Sequence, residues 1–501
     1  MSSQDGVVLG VDVSTTATKA ILLRVDGSVV GVASSEYDFV TPGPLRMEQD
    51  PRLWWTAAQT AISSVLAKTG TPGGRVESVG VCGQMHGLVL LDARGEVVRP
   101  AILWNDQRAA AQCDEIRGIV GRRRLIAITG NDALPGFVAP KMLWVRKHEP
   151  EAWARSRHLL LPKDYLRFRL TGEYALDVSD GAGTALFDLA ARSWSSEILG
   201  WLDLDPAMLP RIVEGPDVVG AVTDQAAAAT GLRAGTPVVG GAGDQAANAI
   251  GVGAIIPGVA ALSLGTSGVA FAPMASPVVD ATGRLHALCH AVPQTWHLMG
   301  VTLSAAGSLR WLRSELAPQL TWDELTALAA SVPQGAEGLA FLPYLTGDQT
   351  SHPDPLARAA FVGLTTRHRL GHMVRAVLEG VAYSLRDVFE LVRDASPEPL
   401  RDIRASGGGT RSALWNQILA DVVGVPFALT RNPEAAATGA AILAAVAAGW
   451  YRSVDVACAA MVEVATVVEP GPDACAYDGI RAIHRNLYPA LRDSFIRLSE
   501  V

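Results

Sequence analysis

The sequence predicts an α/β protein built from two similar halves with a cleft between them, and three observations carry that prediction. Residues 7–23 read as two β-rich runs joined by the small hydroxyl residues Ser14, Thr15 and Thr16, the pattern of a strand, a tight turn and a strand. Residues 259–272 repeat that layout around Gly265-Thr266-Ser267-Gly268, a recurrence that marks a duplicated unit. The chain has 501 residues, long enough for two to four domains that each bury a core. Division into residues 1–254 and 255–501 is therefore expected, the second half opening with the repeat.

Along the first half, Asp26-Gly27 turns the chain into a third strand over 28–33, so the opening is an antiparallel meander and not a βαβ unit. Asp50-Pro51 then supplies a cap and a first-turn proline for a helix over 54–66. A strand over 76–82, the loop Gly83-Gln84-Met85-His86-Gly87 and a strand over 88–91 follow. Helical spacing returns over 107–119, 140–148 and 161–170. In the second half, apolar residues at Met373, Val377, Val381, Leu385 and Phe389 form a four-residue stripe on a helix over 369–392. Beyond it lie the loop Ser406-Gly407-Gly408-Gly409-Thr410, a helix over 412–423, and a small-residue helix around Thr438-Gly439-Ala440-Ala441.

Composition narrows the function classes. Forty-two Lys and Arg against 50 Asp and Glu give a net charge of −8, and no long basic run relieves that acidity, so nucleic acid is not an expected partner. The five cysteines are scattered with no Cys-x-x-Cys, which argues against a disulfide framework or a thiolate zinc site and fits a reducing cytoplasm. Residues 245–279 carry no charge, but Gly, Ser, Thr, Asn and Pro257 interrupt them, so buried strands and turns are expected there and not a membrane span. No basic, apolar leader opens the sequence.

Loops of Gly, Ser and Thr present clustered N–H groups and hydroxyls that can replace the hydration of a phosphate. Three such loops occur, at 12–19, 264–268 and 406–410, and their spread over both halves would let a nucleotide be gripped across the cleft. No Gly-x-x-x-x-Gly-Lys-Ser/Thr is present. Gly241-Ala242-Gly243-Asp244-Gln245-Ala246 resembles a dinucleotide turn, but the acidic residue expected about 20 positions on is missing. Asp244 ends an apolar strand and a glycine turn and opens an Ala-rich helix; the sequence leaves it either a helix N-cap or a proton acceptor at a ligand site. Asp12, at the mouth of the first loop, is either a turn residue or a site for Mg²⁺ held through water. Met85 and His86 in their loop, with Trp104-Asn105-Asp106, offer an apolar face beside polar groups that suits a sugar, or else core packing.

Taken together these residues resemble the FGGY carbohydrate kinases of the actin-like and hexokinase-like ATPase superfamily, over about residues 7–490. The segments that carry the resemblance, in matching order, are Gln84-Met85-His86-Gly87, Ile102-Leu103-Trp104-Asn105-Asp106, Ala139-Pro140-Lys141-Met142-Leu143-Trp144, Leu161-Pro162-Lys163-Asp164-Tyr165-Leu166-Arg167 and Thr171-Gly172-Glu173. They are most similar to the xylulose-phosphorylating branch of the family. The resemblance implies two ribonuclease H-like domains around a deep cleft, the N-terminal one holding mainly the sugar site and first phosphate loop and the C-terminal one mainly the ATP site. It implies ATP-dependent phosphorylation of D-xylulose to D-xylulose 5-phosphate, with Mg²⁺, by a cytoplasmic enzyme whose partners are a small sugar and ATP, as a homodimer.

Residue by residue, the resemblance makes Asp244 the general base, Asp12 and Asp244 the Mg²⁺ carboxylates, and Met85, His86, Trp104, Asn105, Asp106, Asp244 and Gln245 the sugar contacts. Thr15, Thr16 and Lys19 would face the phosphates, with Thr266 and Gly307 in the second phosphate loop and its neighbour, and Gly408, Gly409 and Ser412 receiving the adenosine. Ser14 and Ala17 stand where many members have glycine, and Gln245 stands where the xylulose-specific branch has Asn. The competing expectations are another FGGY substrate (ribulose, sedoheptulose, a deoxyketose or a polyol), an actin-like or chaperone-like ATPase with no sugar, and a nicotinamide dehydrogenase.

Overall fold

The computed structural model describes residues 6–500. Its first large sheet is ordered around the strand Val7–Val13, which runs antiparallel to Ala17–Leu23, itself antiparallel to Val29–Glu36. On its other side Val7–Val13 runs parallel to Val76–Gly83, which in turn runs parallel to Pro237–Val239. The second sheet repeats this plan. Val259–Leu264 is antiparallel to Gly268–Met274, which is antiparallel to Trp296–Thr302, and on its other side Val259–Leu264 is parallel to Asp402–Ser406, followed by Phe427–Thr430. Two copies of one mixed-sheet order, three antiparallel strands and then two parallel ones, are the duplication that the Gly/Ser/Thr hairpins announce. Each copy also carries an antiparallel edge strand beyond its parallel pair, Val218–Ala221 in the first and Val464–Val468 in the second.

The elements form where the sequence places their signals. Asp50 accepts a bond from the Arg52 amide and Pro51 opens the helix Pro51–Thr69, which Gly70 ends in a left-handed conformation at φ 63°, as cap chemistry dictates. The stripe from Met373 to Phe389 lies on the helix Leu370–Ala395, whose Val377, Val381, Leu385 and Phe389 are buried in the second core. The helix expected over 107–119 begins only at Ala110. The reason is local: Arg108 is clamped by Asp106 and Glu48, and the Gln107 amide bonds Leu45 O, so 106–108 stay in a loop. No helix among the described residues is long and apolar enough to cross a membrane.

What joins the halves is a seam of small residues. Helix Ala435–Ala447 belongs by sequence to the second half but lies against the first sheet, on Val7–Val13 and Val76–Gly83, with helix Asp244–Val252 packed along it. Helix Asp244–Val252 in turn touches Val259–Leu264 and Asp402–Ser406 of the second sheet. Backbones approach so closely that a Cβ on Gly10 would lie 2.0 Å from Ala437 O, on Gly80 1.9 Å from Ala440 O, and on Gly439 1.9 Å from Ala247 O. Only glycine fits at these positions, because the obstructing atom is backbone in every case.

Gly439→Ala is expected to destabilise by about 2 kcal/mol or more, the scale of overpacking a rigid core. Gly118→Ala, in the last turn of helix Ala110–Val120 and facing open space, should instead stabilise by up to about 0.5 kcal/mol. Thermal melts of the two variants check this, a lower apparent Tm for the first and an equal or higher one for the second.

Candidate functional site

Sheet registry brings the two central carboxylates to one end of the first domain. Val7–Val13, Val76–Gly83 and the short strand Ala242–Gly243 are neighbours, with Asp12 level with Cys82 and Cys82 level with Ala242, then Val13, Gly83 and Gly243 one residue on. Asp12 therefore stands at the carboxyl end of one strand and Asp244 follows the carboxyl end of another. Two inter-strand spacings separate them, about 10 Å between backbones, in the crevice where parallel strands of α/β sheets present ligand sites.

The helix Asp244–Val252 is capped by Gly243 and receives no side-chain cap bond. Asp244 is thus the first helical residue and not the N-cap, and its carboxylate interacts with the amide and side chain of Gln245 next to it. Burial and then the charge of Asp12 push its pKa up to about 7. Burial likewise raises Asp12 to about 6, against the pull of Lys19. Lys19 is itself spoken for by Glu434, 2.6 Å away across the seam. The Cys82 thiol donates to Asp12 Oδ1 at 3.6 Å and to Ala436 O at 3.3 Å, tying the carboxylate to the start of helix Ala435–Ala447. The floor of the crevice thus carries negative charge that its own cations leave uncompensated, the setting in which a carboxylate accepts a proton or a hard cation.

Met85 packs against Gly243, the residue before Asp244, and His86 packs against Gly183. A Cβ on Gly243 would meet Met85 Cγ at 2.9 Å, and one on Gly183 would meet His86 Cε1 at 2.6 Å, so two glycines make room for the loop. His86 holds a left-handed φ of 66°, uncommon outside glycine and a mark of a position fixed by its surroundings. Its Nδ1 bonds Gly183 O at 2.9 Å, its carbonyl accepts from Lys141 Nζ at 2.9 Å, and its ring lies 4.8 Å from that of Phe137. Burial lowers its pKa to about 3, so the imidazole is neutral, its single proton on Nδ1 donated to Gly183 O and its Nε2 left to accept. Lys141, lowered to about 7 mainly by burial, and Phe137 are parts of this wall to which the sequence assigned no role.

Trp104 is 43% exposed, and its indole N–H donates to Thr15 Oγ1 at 3.1 Å, while Thr15 donates to Gln84 Oε1 at 3.2 Å. That chain couples the first Gly/Ser/Thr loop to the Met85 loop. Asn105 keeps a buried, unpartnered Oδ1. Asp106 corrects an expectation: it is fully buried, with its oxygens taken by the Met47 amide at 2.7 Å and by the Arg108 guanidinium and amide. It braces the loop that carries Trp104 and offers no face to a sugar. Gln245 lies on the first turn of the helix beside Asp244, half-buried.

The other loops meet in the second half. Amides of Ala305 and Gly307 donate to Thr266 O at 2.8 and 3.0 Å, and Arg310 Nη2 donates to Thr266 Oγ1 at 3.3 Å. Gly407 is left-handed at φ 94°, and a Cβ there would strike Leu264 O at 2.7 Å, so the third loop is pressed against the second. Gly408 faces open space, Gly409 is buried against Leu264, and the Ser412 hydroxyl caps helix Ala413–Val423 by accepting from the Trp415 amide at 3.2 Å. Ser406 donates to Asn248 Oδ1 at 2.8 Å, linking this loop to the helix that Asp244 begins. Thr16 is exposed at the tip of the first loop. Lys19, expected to face phosphate, is engaged by Glu434.

Comparison with known proteins identifies the family. The model of the N-terminal domain of the FGGY family of carbohydrate kinases matches residues 7–251, and that of the C-terminal domain matches residues 260–448. A xylulose kinase of Escherichia coli is 42% identical over 446 residues, 89% of this chain and 91% of that one. The crystal structure of xylulose kinase from Rhodospirillum rubrum superposes with a TM-score of 0.90 at 35% identity, covering 98% of this chain and 99% of that one. A gluconate kinase structure from Lactobacillus acidophilus reaches a TM-score of 0.92 at 27% identity, covering 98% and 99%. With both domain models matched in order across a duplicated, cleft-forming fold, the chain belongs to the FGGY family of carbohydrate kinases.

Proposed function

We propose that this kinase transfers the γ-phosphoryl group of ATP to the terminal primary hydroxyl of D-xylulose, giving D-xylulose 5-phosphate and ADP. The observation that carries the reading of the site is the Asp244 carboxylate at the start of its helix, raised toward neutrality by burial and by Asp12, with Met85 packed on the preceding Gly243. The substrate rests on relatives that carry the name xylulose kinase across most of the chain.

Phosphoryl transfer asks chiefly for positioning and charge stabilisation. Asp244 orients the O5 hydroxyl and takes its proton as the bond from O5 to phosphorus forms and the bond to the ADP oxygen breaks. Met85 gives the sugar an apolar contact, and neutral His86 fixes its hydroxyls. Residues 1–254 supply the sugar wall and the Ser14–Thr16 turn, while residues 255–501 supply the loops at Thr266, Gly307, Gly408, Gly409 and Ser412 for the nucleotide. Thr15 and Thr16 face the phosphates, and Lys19 joins them when it exchanges Glu434 for phosphate oxygens. Mg²⁺ suits the two carboxylates, because Asp12 and Asp244 are hard oxygen donors that raise each other's demand for positive charge, with Lys19 shared with Glu434. When bound there, partly through water, it supplies neutralisation of the phosphate oxygens.

A second reading keeps the fold and changes the sugar. Gln245 adjoins the base, and a gluconate kinase shares the architecture at a TM-score of 0.92, so the pocket rim, not the fold, selects the substrate.

Asp244→Asn is expected to lower kcat by three orders of magnitude or more while sugar Kd, measured by calorimetry, changes less than about threefold, as for an interaction made in the transition state. Turnover close to wild type in that variant removes Asp244 from the role. His86→Ala should weaken D-xylulose binding at least tenfold and leave ATP binding within about twofold; an unchanged sugar Kd contradicts the contact.

A further inference from the structure

The turn that delivers Asp244 carries no side chain larger than one methyl group. Gly240, Gly241 and Gly243 surround Ala242, and Gly241 is left-handed at φ 78°, with Val81 O 1.9 Å from where a Cβ would stand. Glycine gives such a turn its close approach to the sheet and also its freedom, yet a catalytic carboxylate has to be held to a fraction of an ångström. The amides of Gly240 and Gly241 bond Asp217 O and Gly215 O, each at 2.9 Å. Ala242 and Gly243 pair with Cys82 and Gly83 of the neighbouring strand, and the Gly240 carbonyl and the Gly243 amide are taken by one fully buried group of charged and polar side chains.

Arg167 Nη1 donates to Gly240 O at 2.5 Å, and the Gly243 amide donates to Ser179 Oγ at 3.0 Å. The Ser179 hydroxyl spends its single proton on Asp177 Oδ2 at 2.5 Å, so only its lone pairs remain for Gly243. Asp177 is held from two sides: its Oδ2 also accepts from the Ser179 amide at 2.8 Å, and its Oδ1 lies in ion contact with Lys163 Nζ at 2.7 Å, which itself hydrogen-bonds Asp164 at 2.6 Å and stands 2.9 Å from Asp180. Arg167 closes the group through Asp164 at 2.8 Å. None of these charged side chains is exposed. A buried ion group adds little net stability over an apolar core of the same volume, whereas its directed bonds restrict geometry. Two of its backbone contacts fall on the four residues that precede Asp244.

We infer that Ser179, oriented by Asp177 and Lys163, is a positioning residue for phosphoryl transfer: it fixes the Gly243 amide and so aims the Asp244 carboxylate. Its effect passes through Asp244, so the inference rests on the reading of Asp244 as the base.

Steady-state kinetics of Ser179→Ala, Asp244→Asn and the double variant, with D-xylulose and ATP, test it. Ser179→Ala is expected to lower kcat tenfold or more with both KM values within about twofold, and to cost less than twofold when added to Asp244→Asn. Ser179→Cys, close in shape though somewhat larger and a weaker acceptor, should fall between serine and alanine in kcat, and a thermal melt of each variant keeps the ordering interpretable if one of them is poorly folded. Equal kcat for serine, cysteine and alanine overturns the inference, as does a loss confined to KM or a full tenfold further loss in the Asp244→Asn background. If Asp244→Asn itself turns over like the wild type, the reading of the base fails instead.

Discussion

The structure depends on one close approach: two helices of small residues pass between the sheets with glycine wherever backbone meets backbone. Gly10 and Gly80 admit helix Ala435–Ala447 onto the first sheet, and Gly439 admits helix Asp244–Val252 against it. Because each helix follows the last parallel strand of its own half, the contact places the end of the first sheet and the Gly-rich loops of the second on opposite sides of one crevice. Larger side chains would hold the halves apart and separate the loops from Asp12 and Asp244.

The electrostatics follow from that packing. Burial at the crevice floor raises both carboxylates, and the ammonium of Lys19 is drawn off by Glu434 from the opposite half. The floor thus carries an excess of negative charge, matched to a cation and to a hydroxyl proton. Around it the protein invests in rigidity, with a strained His86, a glycine turn pinned by buried side chains, and Asp106 locked beneath Trp104. A kinase gains from such preorganisation, since the transferred group needs placement more than covalent help.

Much of this is legible in the chain. The hairpins at 7–23 and 259–274 are visible because Ser, Thr and Gly between β-rich runs leave no other local structure, and their repetition exposes the duplication. Asp244 is visible because it follows a strand and a glycine turn. The hidden parts rest on partners distant in sequence. Lys19 and Glu434 are 415 residues apart, and Asp106 looks like a sugar ligand until Met47, 59 residues earlier, claims it. Lys163, Asp164 and Arg167 lie within one short helix, where charge ordinarily means solvent; only Asp177 and Asp180 folding over them reveal a buried network. Local pattern reads turns and helix faces, whereas the charge state of a side chain is decided by whatever packs on it.

The most direct test of the account is ADP release with Mg²⁺ and ATP across D-xylulose, D-ribulose, sedoheptulose, D-gluconate, glycerol and a control without sugar. The account predicts strong stimulation by D-xylulose, at least tenfold above every other compound and above the control. Turnover indifferent to sugar, or fastest with a different compound, would contradict it.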